Sequence, residues 1–176
     1  MKIRVFVVGT LAIGFAALHL SCLCNQCEWA TKNKELVLAA FTAVGDGDLD
    51  ALDGLIAVDY VRHCQASPDI EVTSLEAFKE YLLQEQSSFP DPELKIVHLI
   101  AEDDLVAFWG TCGGVQEGPI GNFPATGNRM EVDFAGIHRI EDGKIAETWI
   151  TWDNQTALTQ LGLWPPPEFV ELDVSE

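Results

Sequence analysis

Arg139-Ile140-Glu141-Asp142-Gly143-Lys144-Ile145-Ala146-Glu147-Thr148-Trp149-Ile150-Thr151-Trp152-Asp153 is the stretch that decides the fold. Asp142-Gly143 stands between two runs rich in Ile, Val, Thr, Phe and Trp, and Asp-Gly favours a type I′ hairpin because both central residues need positive φ. With these two residues as the loop, Glu141 pairs with Lys144. Counting outward sets His138 opposite Glu147, Gly136 opposite Trp149 and Val132 opposite Asp153. His138, Glu147, Trp149 and Asp153 would then share a face. A three-residue loop would change the cross-strand partners, but the period of two keeps Glu147, Trp149 and Asp153 together.

Working back from the hairpin, Leu94 to Ile100, Leu105 to Thr111 and Arg129 to Ile140 read as earlier strands, with Glu102-Asp103-Asp104 and a Gly/Pro-rich loop from Gly113 to Gly127 between them. That loop is long for a hairpin and either covers the mouth of a pocket or makes an ordinary surface excursion. Before the strands the pattern is helical. Leu36, Ala40, Phe41 and Val44 recur behind Asn33 as N-cap; Leu49, Leu52, Leu55 and Ile56 form a second stripe behind Asp48; Leu75, Phe78 and Leu82 form a third behind the capping box Thr73-Ser74-Leu75-Glu76. Val58 to His63 reads as an extended segment between the second and third helices. Helices first and strands last predict an α+β domain: about three N-terminal helices on a curved, mainly antiparallel sheet.

The chain has 176 residues, 48% of them hydrophobic, enough for a single domain with a proper core, and its net charge of −18 sets nucleic acid aside as a partner. Lys2 and Arg4 precede an apolar run from Val5 to Leu20, the pattern of an export signal over residues 1–22. Leu18-His19-Leu20-Ser21-Cys22 resembles a lipobox, with Cys22 as the lipidated residue, although His19 departs from the pattern; a plain cleaved signal and an uncleaved anchor are the alternatives. Membrane contact is expected only through that N-terminal lipid or anchor, and an exported location follows. Residues 23–32 read as a tether, 33–163 as the domain and 164–176 as a Pro-rich, acidic tail. Of the five cysteines, those left after lipidation allow three pairings, and the sequence does not choose between them.

The order of several short motifs goes further: Asp59-Tyr60-Val61-Arg62-His63, Phe89-Pro90-Asp91, Leu99 to Asp104, Phe123-Pro124-Ala125-Thr126-Gly127, Arg139 to Trp149, Asp153, and Gln160-Leu161-Gly162. This order resembles the SnoaL-like polyketide cyclases of the NTF2-like superfamily, over about Asn33 to Leu163. The resemblance implies a cone-shaped domain enclosing a pocket. It also implies intramolecular aldol closure without metal or organic cofactor, with an aspartate as acid/base at Asp153 and a pocket histidine at or near His138. Cys112 and Thr148 stand where many relatives carry histidine.

An aldol closure needs a base for the proton beside a carbonyl and a donor for the enolate, so Asp153 and His138 are the candidate catalytic pair. His63, Trp149, Glu147, Phe134 and Trp109 are candidate substrate-binding residues. Each has a plainer reading: Asp153 as cap of a final helix, His138 as a core histidine bonded across the hairpin to Glu147, the aromatics as core. The expected ligand is a small hydrophobic molecule, with a homodimer through the sheet as a possible assembly. A cofactor-free cyclase or isomerase and a non-catalytic surface lipoprotein that binds an apolar ligand are the two functional readings.

Overall fold

The computed structural model describes the backbone of residues 12–164 and the side chains of residues 28–164. The elements are α1 (Ala12–Asp46), α2 (Leu52–Leu55), β1 (Ile56–Cys64), α3 (Leu75–Ser88), β2 (Glu93–Glu102), β3 (Leu105–Val115), β4 (Arg129–Glu141), β5 (Lys144–Trp152) and α4 (Asn154–Gln160). The five strands form one sheet in the order β1-β5-β4-β3-β2. β2 to β5 pair antiparallel with their sequence neighbours, and β1 lies parallel to β5, so the sheet is mixed. The α+β class is as expected. Among the described residues the helices number four, because α4 follows the last strand.

The N-terminal helices differ from the sequence reading in detail. α1 runs straight through residues 23–32, expected as a tether, with Glu28 and Lys32 ion-paired at i,i+4 (2.8 Å). Asn33 is therefore no cap. It is buried inside the helix, and its Nδ2 donates to Asp103 O at the β2–β3 turn (3.2 Å), which satisfies a polar side chain that would otherwise be costly to bury. The second helix shrinks to one turn, because Ile56 takes extended backbone angles and opens β1. α3 starts as its sequence predicts, with Ser74 Oγ accepting from Ala77 N (3.1 Å). The expectations for the export signal, for lipidation at Cys22 and for the acidic tail concern groups that lie outside the described residues. Among the described residues no helix is long and apolar enough to cross a membrane.

The hairpin has the predicted turn and an unpredicted strand. Asp142 and Gly143 both have positive φ (50° and 75°), Glu141 pairs with Lys144, and Ile140 pairs with Ile145. The register then shifts. Arg139 faces Glu147, His138 faces Thr148 and Ile137 faces Trp149, so a β-bulge at Ala146 has moved every later pair by one. The cause is local: Ile145 and Ala146 are consecutive and both buried, which a regular strand of period two cannot arrange.

The inner face of the sheet packs on α1 and α3. Val37, Ala40, Leu52, Ile56, Tyr60, Val72, Val106, Ile140 and Ile145 make the main core, where each large aliphatic side chain contributes roughly 1.5–3 kcal/mol. Phe41 of α1 meets Phe108 and Phe134 edge-on (5.0 and 5.9 Å between centroids). Gly136 permits this packing, since a Cβ there would strike the Phe108 ring and the Trp149 carbonyl.

The long loop after β3 is organised by one buried residue. Gln116 Nε2 donates to Gly118 O and Pro124 O (3.0 and 3.2 Å), and its Oε1 accepts from Thr126 N and Oγ1 (3.2 and 2.7 Å). The loop is also pinned to the end of α3, where Glu117 N and Gly118 N donate to Ser88 O and Ser88 Oγ donates to Pro119 O.

Candidate functional site

The bulge distributes the expected site residues over opposite faces of the sheet. His138 and Phe134 point inward; His63, Glu147, Trp149, Trp109 and Asp153 do not. On the outer face His63 Nε2 lies 2.8 Å from Glu147 Oε1, and the His63 ring stacks on Trp149 (5.3 Å, 14°). Arg139 Nε donates to the other Glu147 oxygen (3.0 Å). The bonds from His63 and then Arg139 hold the Glu147 carboxyl below its ordinary range. Ile100, Trp109, Ile137 and Trp149 are all at least 40% exposed on this face, and the strand register places Ile100, Ala107, Ile137 and Trp149 in one row.

Asp153 is a helix cap. Its Oδ1 accepts from Thr156 N (3.0 Å) and its Oδ2 from Thr156 Oγ1 (2.6 Å), and these bonds keep its carboxyl ionised to lower pH than usual. An exposed carboxylate so stabilised is a weak base, and parity along β5 sends it away from the cone interior. The expected pairing of Asp153 with His138 is not formed.

His138 lies in the core. Its Nδ1 shares a 2.7 Å hydrogen bond with Thr148 Oγ1, and its ring stacks on Phe108 at 4.8 Å beneath Phe41. Burial lowers its pKa to about 4, so the imidazole is neutral at neutral pH. Burial pushes the Tyr60 hydroxyl up to about 12. Phe134 packs in the same aromatic cluster and does not line an opening.

The opening is elsewhere, between α1, α3 and the ends of β2, β3 and β4. It is a cleft of about 150 Å³ walled by Val44, Leu82, Phe89, Leu94, Cys112 and Met130, with two carboxyls, Glu85 and the Arg129-paired Glu93. Glu85 is exposed to solvent at the cleft wall, and desolvation by the protein around it raises its pKa, with the positive charge of Arg62 acting in the opposite sense. Burial, and then the negative charges of Glu85 and Asp133, push the Cys112 thiol up to about 11; it is no nucleophile in this state. Cys64 and Cys112 are free thiols.

Behind Glu85 stands a second polar group. Arg62 is 7% exposed, its guanidinium lies 4.5 Å from the Tyr81 ring centroid and 5.8 Å from that of Trp152, and its Nη2 donates to Tyr81 Oη (3.3 Å). Sequence reasoning missed Glu85, Tyr81 and Arg62. The signals existed: Phe78, Tyr81, Leu82 and Glu85 follow helical spacing, which puts a carboxyl on an apolar stripe, and Arg62 has the inward parity of Tyr60 and Cys64.

The SnoaL-like polyketide cyclase family matches residues 35–161, and the chain belongs to that family. Among solved structures it is similar to IdmH from Streptomyces antibioticus, with 28% identity over 74% of this chain and 99% of that chain and a TM-score of 0.65. It is similar to TsrD from Streptomyces laurentii, with 29% identity, 75% and 96% coverage and a TM-score of 0.67. A SnoaL-like protein from Jannaschia sp. CCS1 shares the fold at 22% identity, with 77% and 95% coverage and a TM-score of 0.70. No curated protein matches.

Proposed function

We propose that this chain is a cofactor-free acid/base catalyst of the cyclase or isomerase type, acting on a small hydrophobic carbonyl compound in the Glu85 cleft. The observation that carries this reading is Glu85 on the wall of a largely apolar cleft, a carboxyl with its pKa raised, whereas the other carboxylate of the cleft, Glu93, is ion-paired with Arg129. A raised pKa brings a carboxyl closer to neutrality, where it can both take and return a proton. Proton transfer beside a carbonyl is the step shared by aldol closure and isomerisation, so family membership and chemistry point the same way. The catalytic role expected for Asp153 thus passes to Glu85. The cleft is smaller than the pockets of about 300–1,000 Å³ that hold drug-sized ligands, which favours a compact substrate over a multi-ring one.

The test is solvent deuterium exchange at the carbon beside the carbonyl of small β-diketones and cyclic ketones, followed by NMR. Exchange above the buffer rate that disappears in Glu85→Gln supports the reading. Exchange equal in both proteins overturns it.

A second reading, a surface-anchored protein that binds an apolar ligand without turnover, draws on a different observation. Asp153 faces outward, His138 is sealed in the core, and the second carboxylate of the cleft, Glu93, is held by Arg129, so Glu85 has no free partner base there. Native mass spectrometry of protein from its source would reveal a retained ligand. Export with lipidation at Cys22 belongs to either reading and is tested by mass spectrometry of the mature N-terminus; an intact Met1 would overturn it. We also propose a homodimer through the outer sheet face, whose row of exposed apolar side chains crosses several strands.

A further inference from the structure

Removing a proton beside a carbonyl puts negative charge on the carbonyl oxygen, so the Glu85 cleft needs a hydrogen-bond donor for that oxygen as well as its carboxyl. The side chains with polar atoms on the cleft wall are Glu85, Gln86, Glu93 and Cys112, and of these Gln86 alone carries an N–H. A thiol is a weak donor, and Glu93 is held by Arg129. Nearby backbone is already committed: Gly47 N, Leu49 N and Phe89 N donate to Val44 O, Gly47 O and Glu85 O (3.2, 3.1 and 2.8 Å).

Helical spacing sets the carboxyl and the carboxamide side by side. Leu82, Glu85, Gln86 and Phe89 follow the i, i+3, i+4, i+7 pattern of one face of α3, and all four line the cleft. Consecutive helical positions diverge by about 100° around the axis, so Glu85 and Gln86 stand at the two flanks of this face, with Leu82 a turn before and Phe89 a turn after. Gly47 makes room for the carboxamide. It has φ of 70°, and a Cβ there would lie 2.8 Å from Gln86 Nε2, too close to be accommodated unless the amide moved.

We propose that Gln86 is a second catalytic residue of this cleft, whose Nε2–H donates to the substrate carbonyl oxygen and holds the enolate while Glu85 moves the proton. This rests on the reading of Glu85 as the acid/base group. The Glu85 carboxylate takes the proton from the carbon beside the carbonyl. The C–H electron pair becomes a carbon–carbon π bond, and the carbonyl π pair moves onto the oxygen, against the Gln86 N–H. Return of a proton from the Glu85 carboxyl to that carbon reverses the shift and restores the carboxylate. A neutral donor between two glutamates suits an uncharged ketone or aldehyde and disfavours a substrate that is already anionic.

The experiment is NMR deuterium exchange of cyclopentanone and of pentane-2,4-dione with the full chain, with Gln86→Leu and with Gln84→Leu. Gln84 is exposed on the same helix and does not line the cleft, so its variant is the control. Leu and Gln have similar helix propensity, and both variants should keep the melting temperature. Gln86→Leu should lower the saturated rate for cyclopentanone about 10²-fold with KM within about threefold. The dione, whose enolate spreads its charge over two oxygens, should lose less than about tenfold. Gln84→Leu should match the unsubstituted protein. Exchange that depends on Glu85 but is unchanged in Gln86→Leu, or falls equally for both ketones, overturns the role of Gln86 and leaves that of Glu85 standing. A raised KM at an unchanged saturated rate also overturns it, since Gln86 would then only bind. Exchange that does not depend on Glu85 removes both.

Discussion

His138 Nδ1 lies 2.7 Å from Thr148 Oγ1 inside the core, while Glu147, one residue earlier on β5, bonds His63 on the opposite face of the sheet. Thr148→Val keeps the shape and deletes the hydroxyl that serves His138. The variant should lose about 1–3 kcal/mol of stability, read by urea unfolding, because the buried imidazole loses its partner.

The same histidine gives a pH signature. Its folded pKa of about 4 lies below its ordinary 6.5, so between these values the unfolded chain binds more protons and stability rises with pH. Lowering the pH from 6.5 to 5 should cost about 2 kcal/mol through this group. His138→Gln, which cannot titrate, should flatten that part of the stability curve in denaturant titrations at the two pH values.

Glu85→Gln should reduce any proton-exchange rate by about 10²-fold or more without lowering the melting temperature, since an amide is easier to bury than a carboxylate. In the unsubstituted protein the rate should fall at acid pH with a midpoint above the ordinary carboxylate value, the direction in which burial moves Glu85. A midpoint at the ordinary value would argue that the working group is another one.

Asp153→Ala removes the cap of α4 and should cost about 1 kcal/mol, whereas Asp153→Asn should be close to neutral, Asn being as good a cap. Both should keep the full exchange rate. Loss of activity in Asp153→Asn at unchanged stability would restore the catalytic role expected from the family resemblance.

Trp149→Lys places a charge in the centre of the exposed apolar row and should convert a sheet-to-sheet dimer to monomer, read by light scattering after gel filtration. Because Trp149 is on the far face from the cleft, the Glu85-dependent exchange rate should not change.

The strands were legible because Ile, Val, Phe and Trp alternate between turns whose chemistry is local: Asp142-Gly143 can be read from two residues. The faces were not, because they depend on a bulge, and nothing in Ile145-Ala146-Glu147 alone states that the core accepts two consecutive side chains. That one insertion moved His138 away from Glu147 and left the parity argument for Asp153 internally correct but aimed outward. The cleft carboxyl was hidden for another reason. Glu85 sits where the stripe of α3 calls for an apolar residue, and a glutamate near a helix end reads first as solvated surface. Arg62 was quoted inside a motif, but its burial depends on Tyr81 and Trp152, which come from distant parts of the chain.

Gln116 has a consequence for the time course of binding. Its carboxamide fixes the loop at Gly118, Pro124 and Thr126, and Ser88 holds that loop to the end of α3 next to Phe89 of the cleft wall, so this wall adjoins a preformed edge. A ligand that meets a fixed edge binds in one bimolecular step, and the observed rate in stopped flow should climb linearly with ligand concentration without reaching a plateau. Gln116→Ala would release the edge and convert that straight line into a saturating curve, with loop rearrangement as the limiting event.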